Sequence, residues 1–94
     1  MAARHDDRTK FIVYVLWLHG LSESEVGIIA GLRRKQVAGI IGKSDYRNRS
    51  AMTVGERLDK LRELKAVRYD DSGCAIDGGM LPDRVFTPKA TGKK

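Results

Sequence analysis

The stretch Glu23–Gly42, ESEVGIIAGLRRKQVAGIIG, reads as two short helices around a tight turn, the second loaded with Arg and Lys. Val26, Leu32, Val37 and Ile40 are spaced to bury the seam between the two helices. Gly27 is small enough to let the second helix cross close over the first. Gly31 supplies the turn, where a positive φ is cheap only for glycine. Arg33, Arg34, Lys35, Gln36, Gly39 and Lys43 are left on or near the outside of the second helix. Long cationic side chains gathered on one helical face suit a polyanion better than they suit bond-making chemistry.

The flanking residues set the boundaries. Ser22 and Glu25 form a capping box, each satisfying a backbone N–H of the other, and the helix they open runs to about Ala30. The basic helix covers roughly Arg33 to Lys43. Its interior Gly39 costs about 1 kcal/mol relative to alanine. Close approach to a DNA groove and tight packing against another helix are the two reasons a helix would accept that. Upstream, a first helix is expected from Asp7 or Thr9 to about His19, with Phe11, Tyr14, Val15 and Leu18 on one face and Gly20 as its stop. A buried strand is the alternative for so apolar a run. A surplus apolar side bearing Trp17 would make this segment the dimer contact.

Downstream, the polar loop 44–51 carries Tyr46, Arg47 and Arg49. A second capping box, Thr53 with Glu56, opens a fourth helix to about Leu64. Val54, Leu58, Leu61 and Leu64 face the core at helical spacing, Arg57, Lys60 and Arg62 lie away from it, and Glu56 can pair with Lys60. Then the period changes to two. Val67 and Tyr69 alternate with Arg68 and Asp70, turn formers follow, and Arg84-Val85-Phe86-Thr87 is a second extended run closed by Pro88. The pattern predicts a β-hairpin with a long tip.

The chain has 94 residues, enough for one domain with a modest core and little room for a deep cleft. Residues 1–6 and 89–94 are expected to be disordered. The longest apolar run is far short of the roughly 20 residues that span a bilayer, no signal-peptide cleavage pattern precedes it, and Cys74 stands alone. These features predict a cytoplasmic protein. The net charge is +6 and is unevenly placed. Residues 31–50 hold six basic side chains against one acidic, whereas residues 51–70 hold five against four. A basic patch on one element is the electrostatic footprint of a nucleic-acid binder.

With these residues in view, the chain resembles prokaryotic helix-turn-helix transcription regulators. The segment Leu16-Trp17, Gly20-Leu21-Ser22 and Lys43 is similar to the GcrA cell-cycle regulators of alphaproteobacteria. The span TVGERLDKLRELKAVRYDDSG with DRVFTPKA is similar to the end of a winged helix in MarR-type regulators. The resemblance implies a mainly α fold with a small β-hairpin, four helices plus a wing in a single domain over 1–94. It implies double-stranded DNA as partner and a nucleoid-associated location. Two placements follow from it. In one, the helix after the turn enters the major groove with Arg33, Arg34, Lys35 and Gln36 leading and Gly39 and Lys43 further along. In the other, the fourth helix reads through Arg57 and Lys60, and Arg68 and Arg84 of the wing lie along the backbone or minor groove. Charge favours the first, and the spacing of the hairpin favours the second.

Arg suits guanine O6 and N7, and Gln suits adenine. Lys43, Arg47 and Arg49 are expected to clamp phosphates. A two-fold homodimer reading half-sites about 34 Å apart would raise the affinity of so small a module. Neither metal-ligand spacing, nor a calcium loop, nor a nucleophile–base pair is present, so no cofactor and no enzymatic activity are expected. Two rival functions remain open: a protein-interaction module contacting RNA polymerase, and a phage DNA-packaging or architectural component.

Overall fold

The computed structural model describes residues 7–86. It holds four helices, α1 (Asp7–His19), α2 (Glu23–Ala30), α3 (Arg34–Gly42) and α4 (Val54–Ala66), with 3-10 turns at Arg49–Ala51 and Asp83–Phe86. The centre of the fold is α1, which packs on α2, α3, α4 and the last 3-10 turn. Its Phe11, Ile12, Val13, Val15, Leu16 and Leu18 are all buried. The run is helix and not the alternative strand, and a helix that is apolar nearly all round belongs in the interior. Tyr14 and Trp17 are its half-buried aromatics. Trp17 is half-buried, its Nε1 donates to the Tyr46 carbonyl at 2.8 Å, and the Arg49 guanidinium covers its ring at 3.7 Å.

Local signals open α2 and α4. Ser22 Oγ accepts the Glu25 N–H at 3.2 Å, and Glu25 Oε1 accepts the Ser22 N–H at 2.9 Å. Thr53 Oγ1 accepts the Glu56 N–H at 3.1 Å, with the return bond at 2.8 Å. Leu61 and Leu64 are buried, Leu58 is half-buried, and Val54 in the first turn is 56% exposed, contrary to the expected core position. The ion pair on α4 joins Arg62 to Asp59 at 2.9 Å.

After α2 the chain turns at Gly31, with φ of 74° and its N–H on the Gly27 carbonyl. Gly27 does more than admit the crossing helix, whose Val37 Cγ2 lies 3.6 Å from where a Cβ would stand. A Cβ there would lie 2.6 Å from the Leu32 carbonyl oxygen, so the glycine makes room for the turn backbone itself. Val26, Val37, Ile40 and Ile41 are buried at the seam, while Leu32 is half-buried.

The expected wing is not found among the described residues. Among the described residues there is no paired strand, only an antiparallel bridge between Tyr69 and Ala75. Ile76 N–H donates to the Arg68 carbonyl at 2.7 Å and Asp70 N–H to the Cys74 carbonyl at 3.0 Å, around a turn that the Asp70 carboxylate holds by accepting the Ser72 and Cys74 N–H groups. The second run coils into the Asp83–Phe86 turn, and Thr87 lies outside the described residues. Neighbouring strand residues point to opposite faces, yet Val85 and Phe86 are both buried, with Phe86 6.0 Å from the Phe11 ring. A helical turn puts both on the core. The chain between is closed by Arg68, which forks onto Asp77 with two bonds of 2.9 Å and donates to the Leu81 carbonyl at 2.6 Å.

Candidate nucleic-acid interface

The arrangement α2–turn–α3 places α3 with one side on the core and the other bare. Residues are ~100° apart around a helix. Buried Val37, Ile40 and Ile41 define one side, which sets Lys35, Gly39 and Gly42 directly opposite. Arg34 and Ala38 flank that line on one edge, Gln36 and Lys43 on the other. Arg34, Lys35, Gln36, Gly39, Gly42 and Lys43 are exposed, as is Arg33 at the N-cap. A Cβ at Gly39 or Gly42 would meet nothing within 4 Å, so packing among the described residues does not account for either glycine. Gly42 closes the helix in the sequence pattern, which by itself does not place it on this face. The spacing from Val37, Ile40 and Ile41 would have done so.

The first turn of α3 is set up locally. Arg33 has no side-chain oxygen to cap the helix, and the Gln36 side chain accepts the Arg33 N–H at 2.8 Å instead. At the other end, buried Ser44 donates its hydroxyl to the Ile41 carbonyl at 2.7 Å and accepts the Tyr46 N–H at 3.1 Å. This bends the chain away after Lys43 and leaves Arg47 exposed in the following loop.

The field at this end is one-signed. The first turn of α3 contains no acid. The N-terminus of a helix carries partial positive charge from its aligned peptide dipoles. Arg33, Arg34 and Lys35 stand where a cation is opposed by that dipole, so an anion would relieve the crowding. Among the described residues no ion pair engages Arg33, Arg34, Lys35, Lys43 or Arg47.

Other expected contacts are committed elsewhere. Arg49 is half-buried, and its guanidinium donates to the Trp17 and Leu21 carbonyls at 2.8 and 2.7 Å. Burial, and after it the neighbouring Arg57, pushes its pKa down. Arg57 forks onto the Leu18 carbonyl at 3.0 and 2.7 Å. Both close the C-terminal end of α1, where carbonyls lack helical partners. Arg68, expected in the wing, is 3% exposed inside its Asp77 pair. Lys60 is half-buried on α4, away from the α3 group in sequence. Arg84 lies in the Asp83–Phe86 turn, its side chain outside the described set. No sequence signal marked Arg49 or Arg57 as structural, because their acceptors are backbone carbonyls 28 to 39 residues away.

The described residues include no helix long and apolar enough to cross a membrane. Comparison with protein-family models, with curated proteins and with solved structures found no match, and what this interface can do rests on its own geometry.

Proposed function

We propose that this protein binds double-stranded DNA as a helix-turn-helix module, α3 lying in the major groove with its first turn leading, in the manner of a small prokaryotic or phage transcription regulator. The observation that carries this is the coincidence of an unpaired cationic face with the positive end of the helix after the turn. The alternative placement, with α4 in the groove, loses support: Arg57 is tied to α1 and Arg68 to Asp77. Arg34 and Lys35 are then the base-facing residues, and Lys43 and Arg47 hold phosphates.

The test is duplex binding by the purified chain across a salt series. Five exposed cations, Arg33, Arg34, Lys35, Lys43 and Arg47, set a log–log slope no steeper than roughly −4 to −5. Arg34→Ala should weaken specific binding by about 1–3 kcal/mol and relax base choice. Equal loss on specific and random duplex would reduce Arg34 to a phosphate contact. No salt-dependent retention of any duplex would remove the proposal.

One observation favours the second reading, a protein-interaction module contacting RNA polymerase. Ile28, opposite the buried side of α2, is 82% exposed and Ile29 beside it is 43% exposed. Binding to purified polymerase that Ile28→Ser abolishes, with duplex binding intact, would support it.

A further inference from the structure

The outer face of α3 is equipped almost entirely with hydrogen-bond donors. Residues 31–43 contain no Asp, Glu, Asn, Ser or Thr. The one side-chain acceptor there is the Gln36 amide oxygen, and it takes the Arg33 N–H at 2.8 Å. That bond does for α3 what Glu25 and Glu56 do for α2 and α4, each of which accepts the N–H of its N-cap residue. Releasing it would leave a helix-start N–H without its partner.

Base edges in the major groove differ in what they ask of a protein. Adenine presents an acceptor and a donor, so bidentate reading by glutamine needs the amide oxygen as well as the NH2. Cytosine presents a donor and needs an acceptor. Guanine presents two acceptors, N7 and O6, side by side. With the Gln36 oxygen turned back onto the Arg33 N–H, its amide is held at the helix start, and the exposed cations of the first turn are donors that serve acceptor edges. Thymine O4 and adenine N7 each offer them a single acceptor and are weaker matches than guanine.

We propose, building on the DNA-binding reading above, that α3 selects guanine. Arg34 and Lys35 donate to guanine N7 and O6, and Gln36 is a positioning residue that holds the turn carrying them. Gln36 does not itself read adenine.

The experiment starts from random-sequence duplexes selected on the full chain. Each guanine of the recovered site is then replaced in turn by inosine and by 7-deazaguanine. Inosine keeps N7 and O6 and loses only the minor-groove amino group. 7-Deazaguanine loses N7. The expected result is a guanine-bearing site that tolerates inosine within about twofold and loses roughly tenfold with 7-deazaguanine at one or more positions. Gln36→Glu keeps a capping acceptor and removes the amide donor. Its added charge lowers affinity throughout, while the preferred bases stay the same. A recovered site without guanine overturns the proposal, as does a Gln36→Glu variant that turns one position to cytosine. Binding that ignores sequence overturns the guanine selection and leaves DNA binding standing. Failure to retain any duplex removes both.

Discussion

Arg49 sits in the short 3-10 turn between α3 and α4 and reaches back to α1. It stacks on Trp17 and donates to two carbonyls at the α1–α2 junction. A planar guanidinium can stack and fork at once, whereas a lysine ammonium does neither. Arg49→Lys therefore keeps the charge and loses the clasp. Both Arg49→Lys and Arg49→Ala should lower stability by about 2 kcal/mol in urea titrations. The salt slope of duplex binding should stay unchanged in both. A slope shallower by about one unit in Arg49→Ala would return this residue to the phosphate contacts. Arg57 works alongside it, and the crowding shows in the geometry: a Cβ at Gly20 would meet Arg57 Nη2 at 3.2 Å.

At the scale of elements, the glycines of the α2–α3 unit separate folding from function. Gly31 holds a left-handed φ of 74°, and Gly27 has the Leu32 oxygen 2.6 Å from where a Cβ would stand. Alanine at either position should destabilise by about 1–3 kcal/mol, because backbone must move or strain must be held. Gly39 is the opposite case. It lies inside α3 with open space around it, so Gly39→Ala should stabilise by about 0.5–1 kcal/mol. If α3 enters a groove, that more stable variant should bind duplex less well, since its methyl group stands in the centre of the outer face. Thermal melts and binding on the same sample check both halves. Equal or better binding would mean that the backbone at Gly39 is not approached.

The same elements show what was legible beforehand. The starts of α2 and α4 were readable because a capping box is contained within four residues, and the Gly31 turn because its φ excludes most side chains. The cationic face of α3 was readable because it follows from local charge and spacing. The hairpin was not. The period-two runs at Val67–Asp70 and Arg84–Thr87 are compatible with strands locally, but the Asp83–Phe86 turn packs on α1 and α4 with Val85 and Phe86 both buried, and that demand comes from the core. The fates of Arg49, Arg57 and Arg68 were equally hidden, since each partner lies in another element or loop.

For the whole molecule, the segment after α4 is what closes the α1–α4 end of the fold, and the Arg68–Asp77 pair is its fastener. Asp77 is fully buried, and burial, the strongest single influence on its carboxyl, acts to raise the pKa. The Arg68 side chain and the Leu81 N–H outweigh it, and the net direction is below the ordinary 3.8. A carboxylate held below its unfolded value contributes stability that is present above 3.8 and is lost as pH falls through the folded value. The exposed caps Glu25 and Glu56 and the turn residue Asp70 are shifted in the same direction by their hydrogen bonds, so all four oppose unfolding at neutral pH and weaken together in acid. Asp77→Asn isolates the buried member. It removes the charge of the carboxylate onto which Arg68 forks, which should cost about 3–5 kcal/mol at pH 7, a large share of the 5–15 kcal/mol typical of a domain. The difference between variant and parent in urea unfolding should be full at pH 7 and should narrow as pH falls below 3.8, where the unfolded parent protonates Asp77 first and the folded parent only at lower pH. An equal difference at pH 7 and in strong acid would mean that the pair's charge contributes nothing and that Asp77 acts by shape and neutral hydrogen bonds alone.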